Sequence, residues 1–240
     1  MTSSARPNGD VIVRPVFDWL MTVAVLGMVG LYVRAIYFTP MEVKQGLAQK
    51  IYYVHVPAAI AAYLAVTIAS VTSIIFLWLR DERSDRLAES SMEVALVFLS
   101  IVLVTGPIWA KVIWGTWWSG DARANLTLFL WFIVAAYMIL RGAVEDSAMR
   151  ARYSAVLAVL GTLLIPFIHL SVYLWRTMHP MPIVLQPGKP QLPSEMLVTF
   201  VFGVLAALVL CVAFIRARYR YGVLRDLVAA RDARLAGGAR

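Results

Sequence analysis

Residues 195–215 read EMLVTFVFGVLAALVLCVAFI, and Arg216, Arg218 and Arg220 follow within five positions. One charged residue in twenty-one, then a basic cluster, is the pattern of a helix that crosses a bilayer. About 20 apolar residues cover roughly 30 Å of hydrocarbon. Working outward, five more such runs lie near 16–38, 58–79, 91–113, 124–140 and 154–175. The composition agrees. Hydrophobic residues make up 61% of the 240 and charged residues 15%, against about 25% charged in soluble proteins. The expected fold is all-α, an integral membrane bundle of six transmembrane helices in one polytopic domain spanning 1–240. The first run follows Arg6, Asp10 and Arg14 and resembles a signal anchor. It is too apolar for too long to be the core of a cleavable signal, so it is expected to stay as a helix.

Sidedness follows from the cations. One set of connections and ends carries Arg6, Arg14, Arg80, Arg83, Arg86, Arg141, Arg150, Arg152, Arg216, Arg218, Arg220, Arg225, Arg231, Arg234 and Arg240. The other carries Lys44, Lys50, Lys111, Arg123, Arg176 and Lys189, with Arg34 inside the first run. Fifteen against six is a positive-inside bias. Both termini are therefore expected in the cytoplasm, with 216–240 a basic, partly helical cytoplasmic tail at the membrane surface. The net charge of +8 reads as topology, because its cations sit in short clusters between spans; the partner is the lipid bilayer and no nucleic acid is expected. Cys211 is the single cysteine, which excludes an internal disulfide and a thiolate metal site.

Three connections face outward, 39–57, 114–123 and 176–194, and the unusual residues gather in or beside them. His55 precedes Pro57, where the chain is expected to bend, placing the imidazole at the membrane–water boundary. Trp114, Trp117 and Trp118 are three of the chain's eight tryptophans within five positions. An interfacial aromatic belt accounts for indoles in general, but three in one glycine-containing loop also suit contact with a large planar apolar ligand. Asp121 and Arg123 are expected to fix that loop. His169 and His179 are ten residues apart, roughly 15 Å along a helix. His179 should lie outside and His169 in the outer third of the fifth span, as a neutral imidazole hydrogen-bonded to a neighbouring helix. His55 and His179 come from different connections and can meet across a bundle. A pair of axial imidazoles suits iron in a porphyrin. No GxSxG, HExxH, P-loop or paired-carboxylate motif competes, so no enzyme is expected. On the residues alone two other classes stay open: a b-type membrane cytochrome subunit for electron transfer, and a haem-free transporter or structural subunit.

Three stretches carry a resemblance: YYVHVPAA at 52–59, TGPIWAKVIWGTWWSGDAR at 105–123 and IPFIHLSVYLWRTMH at 165–179. With their spacing, the chain length and the six runs, the sequence resembles the CcmC family, the haem-handling protein C of cytochrome c maturation system I. The resemblance covers nearly the whole chain. It implies that haem b is bound at the outer face of a bacterial inner membrane and delivered to the periplasmic haem chaperone CcmE. His55 and His179 match the axial ligands; Trp114, Gly115, Trp117, Trp118, Asp121 and Arg123 match the haem-binding segment. It also implies ABC-type partners, CcmA and CcmB, and a small membrane protein, CcmD. Two departures stand out from the family's usual WGTWWxWDxRLT. Gly120 replaces a tryptophan, and Ala124-Asn125 replaces Leu-Thr. One indole fewer reduces the aromatic surface for a porphyrin, on the order of 1 kcal/mol where it makes a ring contact.

Overall fold

A computed structural model of the protein describes residues 3–5, 11–13, 17–175, 177–184, 186 and 188–238. Arg6, Asp10, Arg14, Arg176 and Arg240 lie outside the described residues. Two three-residue strands, β1 (Ser3–Ala5) and β2 (Val11–Val13), pair antiparallel ahead of the helices. The rest is helical: α1 (Trp19–Val33), prolonged by one wider turn over Arg34–Phe38, then α2 (Tyr52–Leu79), α3 (Glu82–Trp114), α4 (Ala122–Ala143), α5 (Ser147–Leu174) and α6 (Ser194–Gly238). All six are long and apolar enough to cross a membrane, and the chain is a multi-pass membrane protein.

The chain starts four of its helices with aspartates. Asp18, Asp121 and Asp146 accept backbone N–H groups from Met21, Ala124 and Met149, and Asp81 accepts from Arg83. Each satisfies a donor that a first turn leaves orphaned. Hydrogen bonding at the cap also holds the carboxyls of Asp18 and Asp81 below the usual aspartate range, the first chiefly through Met21 and the second chiefly through the Ser84 hydroxyl.

The helices overrun the apolar runs. α2 begins at Tyr52, so His55 and Pro57 lie within it, and the turn expected at Pro57 does not occur. The ring removes only the hydrogen bond to the carbonyl four residues back. Here that carbonyl belongs to the first turn, where the chain has the most freedom to adjust. α6 runs unbroken through the basic tail for 45 residues, about 68 Å at 1.5 Å per residue. The tail thus continues the sixth span as one rod.

α2 is the hub, packed against α3, α5 and α6. Its buried face is alanine at helical spacing: Ala58, Ala61, Ala62, Ala65 and Ala69. Small side chains let backbones approach closely where lipid supplies no hydrophobic drive between helices. Two contacts need that closeness. Cys211 Sγ lies 3.5 Å from the Ala61 carbonyl, and the Thr162 hydroxyl donates to the Val66 carbonyl at 3.3 Å.

Among the described residues every ion pair lies at one end of the bundle. Arg141 on α4, its side chain 6% exposed, grips Asp85 with two hydrogen bonds of 2.8 and 2.9 Å and reaches Glu89 at 3.1 Å, both on α3. Along α6, Asp226 binds Arg86 at 2.7 Å, Arg225 binds Glu89, and Arg218 binds Glu93. Arg216 and Arg220 reach Asp18, at the start of α1. The starts of α1 and α3 and the far half of α6 therefore share a side. The opposite end carries none of these pairs.

Candidate functional site

That opposite end holds a cavity of about 990 Å³, at the top of the usual range for small-molecule pockets. The first half of α2, the last third of α3, the starts of α4 and α6, the end of α5 and the three connections on that side line it. It takes in His55, His169 and His179, all three histidines of the chain.

His55 stands in the first turn of α2. Its Nδ1 lies 2.8 Å from the Thr105 hydroxyl of α3, and its Cε1 would be only 3.2 Å from a Cβ on Gly106. α3 can press against the imidazole because position 106 has no side chain. His179 lies on the connection after α5, half-buried, with its ring edge-to-face against Trp114 at 6.3 Å. Burial first, then the positive charge of Arg123, push the His179 pKa down to about 4, and the Asp121 carboxylate offsets part of this. The ring is therefore neutral at pH 7. Its buried Nδ1 has no hydrogen-bond partner among the described residues. A buried polar atom left unpaired calls for an explanation, and a ligand beside it would provide one.

Trp114 ends α3 and stacks edge-to-face on Trp109 at 4.8 Å, whose indole N–H donates to Gln45 at 3.0 Å. Trp114, Trp117 and Trp118 all line the cavity, and Trp117 stays 59% exposed. Gly115 and Asp121 do not line it. Gly115 terminates α3 and Asp121 caps α4 while accepting from the Ser119 hydroxyl at 2.9 Å. Both shape the loop. The two departures from the family pattern meet here. Gly120 adopts φ +66°, a left-handed conformation that a tryptophan enters only under strain. Asn125 donates to the Gly120 carbonyl at 3.0 Å and accepts from the Trp118 indole at 3.1 Å. The residue that replaces threonine thus braces the turn left by the missing indole.

Arg123 was expected to fix the loop; it instead ties α4 to α5, donating to the Ile168 and His169 carbonyls at 3.3 and 3.2 Å. Its guanidinium lines the cavity and, among the described residues, forms no ion pair. The other described outer cations, Lys44, Lys50, Lys111 and Lys189, do not line it; Lys50 binds the Thr39 and Pro40 carbonyls and Lys111 the Gly115 carbonyl. His169 differs from expectation too. It is exposed, and what it gives the neighbouring helix is its carbonyl.

Sequence reasoning passed over Gln45, Tyr63, Thr105, Gly106 and Trp109 as site residues. Gln45 is an ordinary polar residue of the first outer connection, and each of the others sits in an apolar run whose spacing describes an ordinary span. Only the position of Trp109 five residues before Trp114 was a signal.

The donor set is informative. Among the described residues no group of three or more His, Cys, Asp or Glu could hold a metal ion. Two imidazoles beside an indole-lined cavity suit a metal whose equatorial positions are already filled by a flat apolar macrocycle.

Comparison with known proteins gives the family. A family model described as heme exporter protein C matches residues 4–234. A heme exporter protein C of Haemophilus influenzae is 33% identical over 88% of this chain and 85% of its own. One of Bradyrhizobium diazoefficiens is 31% identical over 89% and 81%, and one of Escherichia coli 33% identical over 67% and 66%.

Proposed function

The chain belongs to the heme exporter protein C family, and on that footing we propose that it holds haem b in the cavity and presents it for delivery to the chaperone CcmE. The family itself has a role in haem handling for cytochrome c maturation. One observation carries the finer reading: His55 and His179, from distant parts of the chain, converge with the tryptophan loop on one cavity. In this reading the ion-paired, arginine-rich end faces the cytoplasm, as the positive-inside rule requires, and the cavity opens on the periplasmic side of a bacterial inner membrane.

His55 and His179 serve as the axial ligands. Trp114, Trp117 and Trp118 pack the porphyrin, with Trp109 behind Trp114. Gly115 and Asp121 keep the loop in shape. Arg123, a cavity-lining cation with no carboxylate partner among the described residues, meets a haem propionate by a charge-assisted hydrogen bond. The protein's work is to ligate, orient and expose one edge of its cargo, so it acts as a transport and delivery protein. The iron supplies the affinity for imidazole and the porphyrin its reactive edge. Without an ATP-binding loop of its own, energy for release comes from ABC-type partners, CcmA and CcmB, with CcmD alongside. All three histidines line one end, leaving none at a second depth for an electron path across the bilayer.

The test is the absorption spectrum of detergent-purified protein. The double variant His55→Ala, His179→Ala should lose the haem band, while each single variant keeps a weakened, exogenous-imidazole-rescued one. Full haem in the double variant overturns the site.

A further inference from the structure

His55 and His179 are not held alike. The Thr105 hydroxyl lies 2.7 Å from the Ile101 carbonyl one turn back on α3, and 2.8 Å from His55 Nδ1. A carbonyl oxygen can only accept, and two oxygens 2.7 Å apart with no proton between them repel. The single hydroxyl proton of Thr105 is therefore committed to Ile101. What the hydroxyl shows His55 is a lone pair, which Nδ1 can meet only as an N–H donor. The proton of the neutral ring is thus on Nδ1, and Nε2 keeps a bare lone pair. Gly106 gives the ring its room, because a methyl there would stand 3.2 Å from Cε1 and the ring would have to give way by a few tenths of an ångström. His179 has no such support: its Nδ1 is buried and unpartnered among the described residues.

We propose that Thr105, seated over Gly106, is a positioning residue that locks His55 as the Nδ1–H tautomer and so presents Nε2 to the iron of bound haem. The proposal rests on the haem reading above for its second half; the tautomer itself is a property of the haem-free chain. Ligating histidines whose outer N–H is hydrogen-bonded are oriented and made more basic, and losing that partner typically costs about 10-fold or more in affinity. A more basic imidazole favours ferric iron, so losing the bond should also raise the reduction potential.

Thr105→Val keeps the shape of the side chain and removes the hydroxyl; Thr105→Ser keeps the hydroxyl. In haem-free protein labelled with 15N-histidine, the wild type and Thr105→Ser should show His55 protonated at Nδ1 with an unprotonated Nε2. Thr105→Val should lose that single tautomer. In the haem-loaded protein Thr105→Val should bind haem about 10-fold more weakly with a raised midpoint potential, and Thr105→Ser should restore both. A wild-type tautomer and potential in folded Thr105→Val overturn the proposal, while His55→Ala still losing its share of haem leaves the site reading intact. A His55→Ala variant with unchanged haem affinity and spectrum instead overturns the ligand assignment, and with it the haem half of this inference. Should Thr105→Val fail to fold, Thr105→Ala removes the same hydroxyl: an unchanged tautomer there overturns the proposal.

Discussion

The two ends of the bundle treat their charged groups in opposite ways. At one end Arg141, nearly buried, is matched by Asp85 and Glu89, and Arg86, Arg218 and Arg225 each have a carboxylate. At the other, Arg123 touches two carbonyls and, among the described residues, no acid, at the wall of a cavity that His179 also lines. Buried charges and donors are costly unless satisfied. An end that pairs its charges internally is architecture that ties α3, α4 and α6 together. An end that leaves a cation without an acid at a cavity wall is open to an anionic group from outside.

The contrast can be broken most forcefully at Arg141. Arg141→Met leaves Asp85 and Glu89 without their shared partner, and stability should fall by about 3–5 kcal/mol, read as a lower unfolding midpoint in detergent. Haem content per folded molecule should stay unchanged, because the ion-pair end does not touch the cavity. At the cavity end, Gly120→Trp restores the family's indole but forces a bulky residue to φ +66°. It should cost about 1–2 kcal/mol and gain no haem affinity, a result read by unfolding and haem titration together. Arg123→Gln strands no acid, so its effect on the fold should be only about 1 kcal/mol. Its haem titration should weaken by about 10-fold, the loss of one charge-assisted contact worth roughly 1.4 kcal/mol. The smallest effect concerns pH. His179 has its folded pKa pushed down to about 4 from 6.5, so the unfolded chain takes up a proton first. The stability contributed by neutral His179 is complete above pH 6.5 and is lost as pH falls toward 4. Thermal unfolding of the haem-free protein at pH 7 and pH 5 should show that loss, and His179→Asn should reduce it.

The parts of the site legible in the sequence were those with compositional contrast. Trp114, Trp117, Trp118, His55 and His179 stand out because three indoles fall within five positions and two of the chain's three histidines lie in the outer connections. Thr105 and Gly106 do not stand out, since threonine and glycine are common in membrane helices. Their role exists only where α3 crosses α2 beside an imidazole 50 residues away in sequence. Pro57 was legible as a proline but misleading as a bend, because its helix had already begun. The outer cations were indistinguishable in the sequence, and the structure sets Arg123 apart by bringing it alone among the described ones to the cavity wall.

What the sequence determined by itself is the number of spans, the asymmetry of charge between the two faces and the place of the indole loop. A bilayer imposes length and hydropathy on each crossing independently of its neighbours. What only the tertiary structure decided is company: which imidazole rests on which hydroxyl, which guanidinium meets acids and which meets a cavity, and that Asn125 braces Gly120. Those depend on how helices distant in the chain cross, and side-chain periodicity says which face of a helix is buried without saying against what.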